Sequence, residues 1–467
     1  MDIQNFSALF NTPARCEAFL KLIKDNKTKH IFIQGLEGSS IALFFSNLLE
    51  HKQAHIIIAN DLDEAGYLYN DLVQINGNDH ILLFPSGYKR DIKYGQPDPP
   101  SEILRTEVLN RLCQKGESLL IVTYPEAIAE KVVPVNMLSE QTLHIDKNSK
   151  CDIITLSDKL RERGFEEVDY VYEPGQFAVR GSILDVFSYT NELPYRIDFF
   201  GKEVESIRTF EVETQLSTGK LEEVYIVANV CGQEVSGISI LDFIDKNTIL
   251  ICHNLSWVID RISTIASESL SEQTLIAEEG DRYAMQKIID VTAFQKKITT
   301  FRRIDYGASS EANAPAVIRF NCAPQGVYHK NFDLVSQSFS QFIEKGYTLY
   351  ILSDSEKQIE RLQAIFEERG DSISFTPVLK TLHEGFVDND LKIGCFTDHQ
   401  IFDRFHKYTL KSEHARSGKL ALSLKELNQI EVGDYIVHVD HGIGRFGGLI
   451  HTCLLYTSPS PRDRTRS

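Results

Sequence analysis

Four short apolar runs, each followed by a helix-like stretch, limit the possible folds more than any other feature. They are His30–Gln34 (HIFIQ), residues 55–59 (HIIIA), 80–84 (HILLF) and 118–123 (SLLIVT). A strand with one wet face alternates polar and apolar residues, whereas a strand covered on both faces reads as a continuous apolar run. Between the first two runs, Ile41, Phe44, Phe45, Leu48 and Leu49 recur at helical spacing, which predicts a helix laid on a sheet. Asp61 is placed to cap the next helix, and Glu64 to reach back to it. Strand and helix in alternation predict an α/β fold with a parallel, doubly wound sheet in residues 1–143.

The pattern then changes. Alternating segments at 167–173, 176–187, 195–200 and 204–212 are separated by Pro174-Gly175, by residues 190–192 and by Gly201-Lys202. Short loops of turn residues between alternating runs predict antiparallel hairpins, so residues 144–230 read as an α+β module. Apolar strand patterns resume at 248–252, 299–303 and 317–320, so the module reads as an insertion, with 231–325 completing the first domain. Residues 326–405 read as a further small α/β domain, 406–428 as a polar linker, and 429–450 as a strand-and-turn piece. The stretch HTCLLYTSPSPRDRTRS (451–467) changes character abruptly and resembles translated vector sequence, so the expectation is a non-native tail on a truncated chain.

The formal charge of −17 over 467 residues argues against non-specific coating of DNA, because Lys and Arg hold no surplus for neutralising phosphates. The eight cysteines are scattered without C-x-x-C spacing, which fits reduced thiols. No apolar run approaches the ~20 residues of a membrane span, and the first residues lack secretory-signal character. A soluble, cytoplasmic protein with no membrane partner is expected.

Gly35-Leu36-Glu37-Gly38-Ser39-Ser40-Ile41-Ala42 occupies the strand-to-helix position of a phosphate-binding loop. A working loop of the form G-x-x-x-x-G-K-[ST] needs its second glycine, a lysine for the β/γ charge and a hydroxyl for Mg²⁺. Here those three places hold Ser40, Ile41 and Ala42, and Glu37 adds a negative charge. A helix dipole contributes only about 0.3–1 kcal/mol, too little to replace the lysine and metal. The expectation is a degenerate nucleotide loop, the alternative an unrelated turn.

Two stretches, YEPGQFAVRGSILDVF (172–187) and ELPYRIDFFGKEVESIRTFEVETQLS (192–217), resemble the UvrA-binding domain shared by UvrB and the bacterial transcription-repair coupling factors. A third, VGDYIVHVDHGIGRFGGL (432–449), is similar to the start of the RNA-polymerase-interacting domain that the coupling factors have and UvrB lacks. Order and extent together resemble the N-terminal part of the coupling-factor family. The resemblance implies a UvrB-like degenerate P-loop domain carrying the inserted UvrA-binding module, and the start of a small β-barrel at 429–450. It implies UvrA and the RNA polymerase β subunit as partners, the second through an incomplete site, in nucleotide excision repair. The full-length family is an ATP- and Mg-dependent DNA translocase of helicase type. By the same resemblance, DNA contact and ATP binding belong to motor domains absent from this chain, which by itself is expected to use no cofactor and to be no enzyme. It also implies that a distant C-terminal region covers the UvrA face, leaving that face open here.

For UvrA binding, the resemblance points to Arg180, Arg196, Phe187 and Glu203, with Ala178 standing where UvrB has a second arginine. An internal ion pair to Asp185 or Asp198 is the alternative for Arg180, and ordinary core the alternative for Phe187. For polymerase binding it points to Tyr435, His438, His441, Gly442 and Arg445. His438-x-x-His441 lacks a third ligand nearby, so no metal site is expected. The stretch corresponding to UvrB's aromatic hairpin, residues 84–102, has only Tyr88 and Tyr94 for stacking, beside a basic spot of Lys89, Arg90 and Lys93 that reads as a solvated loop. One rival is a UvrB-like or helicase-type P-loop ATPase. Another, a small-molecule α/β enzyme, lacks a Ser/His/Asp set, a metal cluster or a G-x-G-x-x-G loop, and no catalytic residue is assigned.

Overall fold

The apolar runs pair as neighbours, because a strand with no polar side must be covered on both faces. In the computed structural model the residues described are 1–406, apart from 26, 88–98, 115, 141, 148–149, 190, 192, 213, 229–236, 274–287 and 309–315; beyond 406 they are 435–438 and 442–445. Seven strands form one sheet in the order Ala316–Arg319, His30–Gln34, Arg302–Gly307, Ile249–Cys252, Ala54–Ile58, Leu119–Thr123, Ile81–Phe84. Every pairing in it is parallel. The strands that follow the module therefore lie beside those that precede it, and Ile249–Cys252 pairs directly with Ala54–Ile58.

The helix Leu62–Asn76 begins where Asp61 accepts a hydrogen bond from the Glu64 amide at 2.9 Å. The Glu64 carboxylate reaches back one residue further than a capping box requires, accepting from the Asn60 amide at 2.9 Å. The helix expected over 41–49 is shorter than its periodicity. It is α-helical over Ser40–Phe45 and then tightens to 3₁₀ over Ser46–Glu50. Ser46 Oγ donates to the Leu43 carbonyl and Asn47 Nδ2 to the Phe44 carbonyl, a local competition that apolar spacing does not reveal.

The module is joined by a paired neck. Thr142–Asp146 runs antiparallel to Glu223–Val227, so the chain enters and leaves side by side. Beyond it, six strands order as Ser217–Leu221, Glu203–Phe210, Tyr195–Phe200, Ile183–Val186, Gln176–Arg180, Glu166–Glu167. The alternating segment 176–187 is two strands rather than one. They are joined by Gly181-Ser182, with Gly181 at φ +64°, the first-position glycine that a tight two-residue hairpin favours. The 167–173 segment contributes only the two-residue strand Glu166–Glu167, which pairs parallel with Gln176–Arg180, so Pro174-Gly175 does not turn the antiparallel hairpin expected there. The inner face of the sheet buries Phe177, Leu184, Val186, Tyr195, Ile197 and Ile207 against Leu156 and Leu160 of the helix Ile153–Glu162, a core of its own.

A third sheet orders as Cys322–Pro324, Phe386–Asp388, Ile393–Thr397, Thr348–Leu352, Thr376–Val378. Its helices Phe332–Glu344 and Glu356–Glu368 cover one core, while Tyr350, Phe386 and Cys395 join the core of the parallel sheet. The result is a mixed α/β fold with a parallel sheet. Residues 415–467 form a separate unit, in which Tyr435–His438 and Gly442–Arg445 pair antiparallel. Among the described residues, no helix is long and apolar enough to cross a membrane, and no group of side chains is arranged to hold a metal ion.

Candidate functional site

The register of the six-stranded sheet decides which of its residues share a face, because cross-strand partners point the same way. Ala178, Asp185, Arg196 and Arg208 are successive partners across four strands. Arg180, Ile183, Asp198 and Ser206 form the next row on that face, and Phe200 and Glu203 the row after it. This face lies opposite the module's own core.

Its centre is an ion-pair ladder. Asp185 is fully buried, and its two oxygens accept from Arg196 Nε at 2.7 Å and Nη2 at 2.8 Å, a bidentate fork. Arg180 Nη2 also donates to Asp185 Oδ2. Arg196 lies over the Phe210 ring at 4.3 Å, and its Nη1 donates to the Gln215 carbonyl at 3.0 Å. The hydrogen bond to Asp185 and that carboxylate's charge push the Arg196 guanidinium further up from its ordinary pKa, against the pull of burial. On the neighbouring row, Asp198 accepts from Arg208 Nη2 and from Ser206 Oγ, the latter at 2.7 Å.

Arg180 differs from Arg196 in what it leaves free. The Arg196 side chain is 14% exposed and the Arg180 side chain 36%, with its guanidinium over the half-exposed Tyr170 ring at 4.9 Å. Of the residues expected to bind UvrA, Arg180, Arg196 and Glu203 are brought onto this one face. Phe187 is buried with Val171, Ala178 and Phe210 in a small apolar cluster that covers part of the same face. The residue that sequence reasoning missed is Phe200, 79% exposed beside the Gly201-Lys202 turn and paired with Glu203. A signal was present: Phe199 and Phe200 are adjacent in a strand, so only one of them can face the core.

At the candidate phosphate loop, Gly35 and Gly38 adopt φ +83° and +54° between the strand His30–Gln34 and the helix Ser40–Phe45. Three amides of this loop are already engaged. Glu37 N donates to Ser40 Oγ at 2.9 Å, Ser39 N to the Glu384 carbonyl at 3.1 Å, and Ser40 N to the Glu37 carbonyl at 3.2 Å. Ile41 lies half-buried against the main core and Ala42 is buried. Burial, and then the charge of Glu37, push the Glu384 carboxyl up from its ordinary pKa.

The basic spot and tyrosines of 88–94 lie outside the described residues, as does His441. The base of that segment is fixed by a buried pair, Arg105 Nη1 to Glu130 Oε2 at 3.1 Å, with Gly87 N donating to the same carboxylate oxygen at 3.0 Å. In the separate unit, Tyr435 pairs with Arg445 and His438 with Gly442 across the two strands.

Comparison with known proteins follows the same division. Residues 143–231 match the family model of the UvrB interaction domain. Residues 430–464 match that of the CarD-like/TRCF RID domain, a match that reaches into the stretch expected to be foreign. A transcription-repair-coupling factor of Staphylococcus aureus (strain MRSA252) is 23% identical over 89% of this chain and 42% of its own length. One from Staphylococcus epidermidis (strain RP62A) is 22% identical over 90% and 42% respectively. The chain thus spans less than half the length of these relatives. It is similar to transcription-repair-coupling factors along nearly all of its own length, with a UvrB interaction domain at its centre.

Proposed function

We propose that this chain brings UvrA to stalled RNA polymerase, and that the charged outer face of the 166–221 sheet is the surface UvrA meets. The observation that carries the reading is the shared face itself. Arg180, Arg196, Glu203 and Phe200 lie on one side of a sheet with its own core on the other side, and the match to the UvrB interaction domain covers the same residues. Arginine forks and a lone exposed aromatic are the groups that anchor protein interfaces. The match at 430–464 supports polymerase as the second partner. In this reading the strands Tyr435–His438 and Gly442–Arg445 open a small β-barrel, and alone they do not hold polymerase stably. ATP hydrolysis and movement on DNA belong to segments outside residues 1–467, and this chain works in the cytoplasm as a recruiting module without a cofactor.

Titrating UvrA into the full chain by calorimetry tests this. Arg180→Ala and Phe200→Ser are each expected to cost about 2 kcal/mol or more of affinity, about thirtyfold in Kd. An unchanged Kd for both variants removes the face from consideration.

A further inference from the structure

The loop at 35–40 is not an empty cradle. Residues 383–385, more than 340 positions further along the chain, lie against it backbone to backbone. A Cβ on Gly38 would fall 2.9 Å from the Gly385 carbonyl oxygen and 3.1 Å from Glu384 Cβ. A Cβ on Gly385 would fall 2.6 Å from the Cys395 carbonyl oxygen and 2.0 Å from Gln325 Oε1. Gly385 is therefore required by close approach, and Gly38 both by close approach and by its positive φ.

The polar groups close in a ring. Ser39 N donates to the Glu384 carbonyl at 3.1 Å, and Glu384 N donates back to Ser39 Oγ at 2.9 Å. Ser39 Oγ donates to Asp71 Oδ2 at 2.5 Å, and His383 N donates to Asp71 Oδ1 at 2.7 Å. Ser39 and Asp71 are both buried. One turn before Asp71 on the helix Leu62–Asn76, Tyr67 stacks on the His383 imidazole with ring centroids 3.5 Å apart and planes 11° from parallel. Residue 383 is thus held twice by one helix face, through its amide and through its ring. The His383 carbonyl in turn meets His399 Nε2 at 2.8 Å.

We propose that the loop 35–40 and this helix face form an intramolecular peptide socket, filled permanently by residues 383–385, which keys the five-stranded sheet onto the parallel sheet in the place where a nucleotide phosphate would sit. A phosphate site offers amide donors and a cation. This one offers a donor and an acceptor in turn, through Ser39 N and Ser39 Oγ, with a carboxylate behind them. That pattern complements a peptide backbone and supplies no cation for an anion. The bidentate Arg15–Asp388 pair, at 2.6 and 3.1 Å, joins the same two parts nearby, so loss of the socket should loosen residues 383–385 without separating the sheets.

Hydrogen exchange on the full chain, read by mass spectrometry, tests the socket. Asp71→Ala is expected to speed exchange of the 383 and 384 amides at least tenfold, while the strand Tyr195–Phe200 and UvrA binding stay unchanged. Tyr67→Ala, which leaves every bond in the ring of polar groups in place, is expected to speed the same amides by a smaller factor. Unchanged exchange in both variants overturns the proposal. So does faster exchange of 383–385 on adding Mg-ATP or inorganic triphosphate to the unaltered chain, because that would make the segment a displaceable plug over a working nucleotide site.

Discussion

Arg180→Ala and Arg196→Ala should separate binding from stability, because the two arginines share one carboxylate on unequal terms. In Arg196→Ala, the fully buried Asp185 loses both arms of its fork and keeps only the single Arg180 contact. Breaking a buried pair from one side costs about 3–5 kcal/mol, since a charge is left in a dry place. Arg196 also gives up its position over Phe210 and its bond to the Gln215 carbonyl. In Arg180→Ala, Asp185 keeps the fork. The Arg180 side chain is one-third exposed, so solvent screens what it contributes, and the loss should be about 0–1 kcal/mol. The expected gap is therefore about 2–5 kcal/mol in the stability of the module. Hydrogen exchange of the strands Gln176–Arg180 and Tyr195–Phe200 measures that stability locally, and calorimetric titration of UvrA measures binding in the same samples. Arg180→Ala should exchange nearly as the unaltered chain does while binding UvrA at least about thirtyfold more weakly. Arg180→Lys should restore only part of the affinity, because an ammonium keeps the charge and loses the planar fork. If Arg180→Ala destabilises the sheet as much as Arg196→Ala does and leaves UvrA affinity intact, Arg180 is an internal tie and the assignment of the face is wrong.

Two further outcomes follow from the loop and its occupant. Ile41→Lys, which restores the lysine of a phosphate loop, should still give neither Mg-ATP binding by calorimetry nor ATPase activity, because residues 383–385 continue to fill the site; a clear binding isotherm would show that lysine alone was missing. The second concerns pH: burial pushes Asp71 up to about 7 from 3.8, so the folded chain holds a proton that the unfolded chain releases. Stability from this group is full below about pH 4 and is lost as pH rises towards 7, by up to about 1.4 kcal/mol per pH unit. His383, pushed down to about 4 mainly by burial, works in the opposite sense, so the readout is the difference between the unaltered chain and Asp71→Asn in thermal midpoints from pH 5 to 8. The two curves should converge on acidification, and parallel curves would show that Asp71 does not titrate in this window.

What could be read from the sequence was what repeats within a few residues. Continuous apolar runs marked the parallel strands, and alternation around residues 190–192 and Gly201-Lys202 marked hairpins, because both patterns report burial on a local period. At Pro174-Gly175 the same reading failed, since the strands on either side pair parallel. The same local logic failed where polar side chains competed with it. Ser46 and Asn47 shortened a helix whose apolar spacing ran on to Leu49. It also failed at Gly181-Ser182, a two-residue loop that interrupts the segment 176–187 without a break in composition. The outer face of the module was half legible. Arg180, Arg196 and Glu203 could be named, but that Asp185 is shared by two arginines depends on a register between three strands. The socket was not legible at all, since its two halves are separated by more than 300 residues and consist mainly of backbone atoms.

The two devices, neck and socket, bear on one another through the parallel sheet. The neck strands Thr142–Asp146 and Glu223–Val227 fix where the module leaves the first domain. The strands that follow it close the sheet at its centre, where Ile249–Cys252 lies between Ala54–Ile58 and Arg302–Gly307. A module held by a paired neck on a covered sheet can present a rigid face, and rigidity is what lets a few arginines and one exposed phenylalanine bind a partner without a large ordering cost. A working nucleotide site would oppose this arrangement, since turnover requires a cleft that opens and closes around its ligand. If the 35–40 loop descends from a phosphate loop, Ile41 stands where its lysine would be, and that opposition is removed at the chemical level. Residues 383–385 lie backbone to backbone against the 35–40 loop, and in the proposed reading the first domain acts as a mount and the chemistry of the surface is left to the module.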